Sequence, residues 1–295
     1  MSDIVWKRAE RKRVKLRISL CGPSGSGKTY SALKIAKGLG GKVALLDAES
    51  GRGSLYSSDF DYTVAELSAP YSPARYIEYI KSAEQGGFDV LIIDSLSHAW
   101  AAEGGVLDMV DKKSAASRGN SFTAWRDVTP EQNRLVEAII SSKMHIIITL
   151  RSKVEYVVET DQTGRTRPRK IGLAPVQREG LEFEFTVGFD LSTNGNIAST
   201  SKDNTKLFRN QDFVIDESTG QKLIEWVMSG KEVEEVPVVE RPLVTHLTQL
   251  IKDAGITELN REKVLAKYNA ASWEQLTDEQ LTTCIGNLNK KLEAK

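Results

Sequence analysis

The amino-acid sequence predicts an α/β fold: a mainly parallel sheet flanked by helices, with a small helical module at the C-terminus. Three observations carry this expectation. Short apolar runs at Val43–Leu46, Phe88–Ile93 and His145–Leu150 alternate with helix-patterned stretches, and strands alternating with helices join by right-handed crossovers into a parallel sheet. A glycine-rich turn links the first strand to the first helix. Beyond Arg241 the strand pattern is absent, and Leu243, Leu247, Leu250 and Ile251, then Leu281, Ile285, Leu288 and Leu292, recur at helical spacing.

Residues 1–15 are a basic entry segment, with Lys7, Arg8, Arg11, Lys12, Arg13 and Lys15 against Asp3 and Glu10. Val14, Leu16, Ile18 and Leu20 alternate with polar residues, which predicts a strand over Val14–Cys21. Thr29–Leu39 reads as a helix stopped by Gly40–Gly41. Helices are also predicted over Pro73–Gln85, from Ile77 and Ile80, and over Pro130–Ser142, from Leu135, Val136, Ile139 and Ile140. From Lys153 the character changes. Val154–Glu159 and Arg165–Ile171 flank Asp161-Gln162-Thr163-Gly164, a hairpin signal. Strand-like stretches follow at Phe183–Phe189 and Phe213–Ile215. Lys231–Arg241 is acidic, proline-bearing and unpatterned, as a linker is. The expected division is therefore a segment 1–15, a core 16–230, a linker 231–242 and a helical module 243–295.

Composition narrows the function. The chain has 295 residues, 40% hydrophobic and 27% charged, which excludes a disordered, fibrous or disulfide-framework protein. Its 40 basic and 40 acidic residues cancel, so any nucleic-acid site must be a local patch. Two cysteines, apolar runs too short for a bilayer and a first stretch, Met1–Arg17, without a signal region point to the cytoplasm and to no membrane. His98, His145 and His246 lack zinc-ligand spacing and read as structural.

The chemistry starts at Gly22-Pro23-Ser24-Gly25-Ser26-Gly27-Lys28-Thr29, which fits the phosphate-loop pattern G-x-x-x-x-G-K-S/T. Glycines let backbone N–H groups turn towards phosphates, and the following helix adds its positive end. Lys28 is expected to reach the outer phosphates of ATP, and the Thr29 hydroxyl to bind magnesium. The run Phe88–Asp94 ends an apolar strand in an acid, placing Asp94 at the carboxyl edge of the sheet as a second magnesium contact, through water. Val43–Leu46 runs into Asp47-Ala48-Glu49, where Glu49 is the candidate base for an attacking water.

Taken in order, Gly22–Thr29, Leu46-Asp47-Ala48-Glu49 and Ile93-Asp94-Ser95 resemble the RecA-type ATPase core. The resemblance implies that Glu49 activates water. His145–Lys153, Pro175–Gly180, Glu182-Phe183-Glu184-Phe185 and Ser201-Lys202-Asp203 are similar to phage-encoded RecA-core ATPases of recombination and single-strand annealing, over about Leu16–Phe208. That resemblance implies a homo-oligomer with ATP between subunits, in the bacterial host cytoplasm. RecA has a glutamine nucleotide sensor after the strand matching His145–Leu150; here Thr149 or Arg151 must serve. Lys202 and Lys206 resemble lysines that RecA places on a neighbouring subunit's phosphates.

Arg165-Thr166-Arg167-Pro168-Arg169-Lys170 puts four cations in six residues beside the hairpin turn. Such a hairpin suits phosphate neutralisation on single-stranded DNA without base readout. Lys112–Trp125, with Phe122 and Trp125, offers cations beside aromatics, which suits base stacking or simply packs on the core. The reading is an ATP-hydrolysing protein acting on single-stranded DNA in recombination, annealing or repair. The alternatives are a P-loop kinase with Arg165–Lys170 as its lid, and an ATP-dependent switch that recruits a protein partner through Leu243–Lys295.

Overall fold

Buried parallel strands are apolar on both faces because helices cover both, and the central strands here are of that kind. The structure, a computed structural model, describes residues 6, 8–117, 119–160, 166–232, 242–255, 258–268, 270 and 272–293; side chains of 154–160, 166–173, 258–262, 274 and 291–293 are outside that description. The elements of the first unit, Met1–Glu232, are β1 (Arg17–Gly22), α1 (Lys28–Leu39), β2 (Val43–Asp47), β3 (Thr63–Glu66), α2 (Pro73–Gln85), β4 (Val90–Asp94), α3 (Ser97–Ala101), α4 (Val106–Ala116), α5 (Ser121–Ser141), β5 (His145–Thr160), β6 (Thr166–Pro175), β7 (Val187–Leu191), β8 (Ile197–Asp203), β9 (Phe213–Val214) and α6 (Glu217–Met228). The sheet runs β3-β2-β4-β5-β1-β7-β8-β9, with β6 paired to β5 off that path. Pairs from β3 through to β7 are parallel, and β7–β8, β8–β9 and β5–β6 are antiparallel. It is a mostly parallel α/β sheet flanked by helices, as the sequence predicts.

Alternate residues feed two apolar layers. Ile18, Leu20, Val90, Ile92, Ile147 and Phe189 pack towards Leu33, Ile35 and Leu223 of α1 and α6. Leu91, Ile93, Ile146 and Ile148 pack towards Tyr76, Ile80, Leu135 and Ile139 of α2 and α5. The N-terminal run is tied to the end of this unit: Arg13 N–H donates to the Lys231 carbonyl and Lys231 N–H to the Arg11 carbonyl, each at 2.8 Å. The Arg11 guanidinium lies 4.7 Å from the Trp226 ring centroid.

Several element boundaries differ from expectation. The first strand starts at Arg17 rather than Val14, which is 45% exposed. The predicted helix Pro130–Ser142 begins at Ser121, where the Asn120 side chain caps it, and carries Pro130 internally. The strand predicted over His145–Leu150 continues to Thr160 because its second half pairs with β6. Phe183 and Phe185 do not start a strand; a 3-10 turn, Leu181–Glu184, precedes β7. β3, β8, α3, α4 and α6 are not predicted.

The second unit, Val233–Lys295, holds α7 (Pro242–Asp253), α8 (Glu258–Lys267) and α9 (Asp278–Glu293), with a core of Leu247, Leu265, Trp273, Leu276, Leu281 and Ile285. No helix among the described residues is long and apolar enough to cross a membrane.

Helix α1 carries the phosphate loop at its start, and α6 holds it from outside through Gly38 and Gly220. A Cβ at Gly220 would lie 2.2 Å from the Ile35 carbonyl oxygen and 2.8 Å from Gly38 Cα. Both are backbone atoms, so the helices themselves must separate. Gly220→Ala should therefore destabilise the first unit by about 2 kcal/mol or more, overpacking outweighing the gain in helix propensity of about 1 kcal/mol. Denaturant melting checks this, and an unchanged midpoint would show that the crossing yields freely.

Candidate functional site

After β1 the chain turns through residues in which Gly25 and Gly27 take φ of 80° and 79°, where side chains are strained. A Cβ at Gly27 would also lie 2.8 Å from Asn196 Nδ2, so that side chain would have to move aside. No side chain caps α1, which leaves its first-turn N–H groups for an anion. Lys28 Nζ donates to the carbonyls of Gly22 at 3.0 Å and Pro23 at 2.8 Å. Burial pushes the Lys28 pKa down, opposed by the carboxylates of Asp94 and Glu49. The Ser26 hydroxyl is buried without a hydrogen-bond partner.

β5 lies between β4 and β1, so Asp94 at the end of β4 meets both Thr149 of β5 and Thr29 of the loop. Thr29 Oγ1 donates to Asp94 Oδ2 at 2.6 Å, and Thr149 Oγ1 to Oδ1 at 2.5 Å. Asp94 is 4% exposed, and burial pushes its pKa up while the two hydroxyls oppose the shift. This set of hard oxygen donors suits magnesium, which takes few protein ligands and keeps its waters. Among the described residues no group of three or more His, Cys, Asp or Glu offers an all-protein cage.

β2 ends at Asp47, whose carboxylate accepts the N–H groups of Glu49 at 2.6 Å and Gly53 at 2.8 Å. That turn directs Glu49 to Arg151: Nε and Nη2 of Arg151 lie 2.9 and 2.8 Å from Glu49 Oε1. Arg52 lies 3.8 Å from Glu49 Oε2. The Arg151 N–H donates to Ser97 Oγ at 2.9 Å.

These groups share one pocket of about 520 Å³, a volume suited to a nucleotide. Of the residues predicted from sequence, Ser24, Gly25, Gly27, Lys28, Thr29, Glu49, Asp94 and Arg151 line it, with Gly22, Pro23 and Ser26 in the loop beneath. Arg52, Leu55, Tyr56 and Ser152 also line it and are not predicted; only their nearness to Glu49 and Arg151 in sequence hinted at them. Asp94, expected to hold magnesium through water, accepts the Thr29 hydroxyl here. Lys202 and Lys206 do not line it. Lys202 Nζ instead bonds the carbonyls of Glu182 and Phe183, and Lys206 is exposed in a turn folded around Asp203, with its N–H on Asp203 Oδ1 at 3.0 Å.

Of the hairpin cations, Arg165 lies outside the described residues. Arg167, Arg169 and Lys170 fall on β6, their backbones paired with Glu159, Val157 and Tyr156, and their side chains lie outside the description. In the Lys112–Trp125 stretch, Trp125 packs on Trp100 at 5.9 Å while Phe122 is 80% exposed. Lys112 and Lys113 pair with Asp108 and Asp127, and Arg118 lies outside the described residues.

A family model described as an AAA domain matches residues 14–222. No curated protein matches the chain. The matched span takes in the whole pocket and omits α7–α9.

Asp94 gives a test with a defined sign. A buried carboxyl whose folded pKa is raised costs stability as pH rises from the unfolded titration range near 4 through the folded value. Asp94→Asn carries no charge, so its stability relative to the natural protein should increase with pH across that interval and then level off. Magnesium-dependent nucleotide binding should weaken in the same variant. Denaturant melts at several pH values check the first; a pH-independent difference would mean that folding leaves the carboxyl's pKa unshifted.

Proposed function

The chain belongs to the AAA domain family of P-loop ATPases, and on that premise we propose that it hydrolyses ATP by a RecA-type mechanism and couples hydrolysis to single-stranded DNA. The convergence of Lys28, Thr29, Asp94 and Glu49 on one pocket carries the reading. Lys28 and the first turn of α1 hold and offset the phosphate charge. Thr29 and Asp94 would hold magnesium, which when bound offsets charge on the outer phosphates. Glu49 takes a proton from the attacking water as its oxygen bonds to the terminal phosphorus, and the diphosphate leaves. Arg151 is a contact to the nucleotide.

The DNA side of the proposal rests on β5. One continuous strand carries Thr149 and Arg151 at the pocket and then forms the hairpin with β6, on which Arg167, Arg169 and Lys170 fall. With Arg165 these would neutralise phosphates in recombination, annealing or repair. Two antiparallel strands are also unlike a helical kinase lid. Lys202 and Lys206, which lie away from their own chain's pocket, would act across a subunit boundary in a homo-oligomer.

Two experiments test this. Lys28→Ala should lose most ATP affinity or turnover, whereas Glu49→Gln should keep magnesium-dependent ATP binding and lose roughly a hundredfold or more in hydrolysis. Turnover near the natural level in Glu49→Gln would remove it as the base. Replacing Arg165, Arg167, Arg169 and Lys170 with alanine should weaken single-stranded DNA binding alike for all sequences. The salt slope should flatten by up to about 0.7 for each phosphate that is no longer neutralised. Normal DNA binding without ATP turnover would make the hairpin a nucleotide lid and favour the kinase reading.

A further inference from the structure

The carboxylate assigned above to accept the water proton is covered. Arg151 places two nitrogens on Glu49 Oε1, at 2.9 and 2.8 Å, and Arg52 stands 3.8 Å from Oε2. The Glu49 side chain is only 17% exposed, so little room remains beside it for water. Both guanidinium contacts fall on Oε1, so a water reaching that oxygen has to displace Arg151. In this arrangement Oε1 of Glu49 is closed to an attacking water.

The Arg151 side chain differs from its partner in being 50% exposed. It lines the pocket that also holds Lys28 and Thr29, and it is close enough to Lys28 to lower that residue's pKa. A terminal phosphate seated on Lys28 carries more charge than a carboxylate and matches the guanidinium fork. Arg151 therefore has two candidate partners and one side chain. Its backbone is fixed meanwhile, the N–H on Ser97 Oγ at 2.9 Å and the carbonyl accepting Val176 N–H at 2.7 Å. An exchange of partners requires side-chain rotation alone.

We propose that Arg151 is a latch on Glu49, with the terminal phosphate of a nucleoside triphosphate as its alternative, mutually exclusive partner. The exchange uncovers Glu49 only when a triphosphate is seated. A diphosphate ends one phosphate short and leaves the latch shut, so the base is exposed only in front of a hydrolysable bond.

The latch rests on nucleotide binding at the Gly22–Thr29 loop, and one titration separates the two. Affinities for adenylyl-imidodiphosphate and for ADP, each with magnesium, are measured by calorimetry for the natural chain, Glu49→Gln, Arg151→Ala and the double variant. Opening the latch by Glu49→Gln should tighten the triphosphate analogue about tenfold, the scale of one charged hydrogen bond, and leave ADP within about twofold. In the Arg151→Ala background that tightening should vanish. Simple charge repulsion gives the opposite order, because a carboxylate repels phosphate most when no arginine neutralises it. Tightening as large or larger in the Arg151→Ala background, or equal tightening for ADP, overturns the latch. ADP binding retained in all four proteins shows that the fold and loop are intact. Absence of binding of either nucleotide by the natural chain overturns the loop reading, and the latch with it.

Discussion

The Asp94 carboxylate and its two hydroxyl donors set the geometry on which the rest of the site depends. Desolvating a carboxylate costs several kcal/mol, and each hydrogen bond to a charged group returns about 1.5–3 kcal/mol. Thr29 and Thr149 together therefore offset only part of the burial, and the Asp94 pKa stays raised. A group so held is sensitive to where its partners sit. Thr29 comes from the first turn of α1, Thr149 from β5, and the Asp94 main-chain carbonyl accepts Ala48 N–H at 2.7 Å beyond the end of β2. One residue thus places the phosphate loop, the strand between it and β4, and the turn that carries Glu49. The sheet order supports this, since β5 between β4 and β1 brings the Thr149 hydroxyl to the Asp94 carboxylate.

The phosphate loop was legible in sequence because its pattern specifies backbone conformation: glycines where φ is positive, then a helix start. The central strands were legible for a different reason, burial on both faces, which demands continuous apolar runs. The same logic explains the omissions. β3 is an edge strand with mostly exposed residues, and β8 alternates around Ala198 with exposed polar positions, so neither shows an apolar run. Helix α6 starts with a capping box built from Asp216 and Thr219, where the usual sequence signal has Glu or Gln at the latter position. In α5 the proline suggests a helix start but sits within the helix, because Asn120 caps it earlier.

What sequence could not supply is the pairing of groups distant along the chain. Glu49 and Arg151 are 102 positions apart, and their contact follows from the crossover order. Reading Glu49 as a base and Arg151 as a nucleotide contact is sound as chemistry of each residue alone. Neither reading contains the fact that they neutralise each other. Lys202 shows the converse: a sequence neighbourhood that matches a phosphate-contacting lysine, in a fold that ties its ammonium to the backbone of the Leu181–Glu184 turn.

A pocket that hydrolyses a triphosphate must satisfy opposed electrostatic demands. Cations are needed against the phosphates, and an anion is needed to take a proton from water beside them. Here the demands are linked through Lys28, whose charge is supported by Asp94 and Glu49 and opposed by Arg151. While Arg151 lies on Glu49, the carboxylate supports the Lys28 charge and the nearby guanidinium works against it. In the proposed exchange, phosphate would neutralise the guanidinium and leave the Glu49 carboxylate unpaired beside Lys28. In the proposed exchange the position of one arginine governs access to Glu49 and the charge around Lys28 together, without any movement of the strands that hold them.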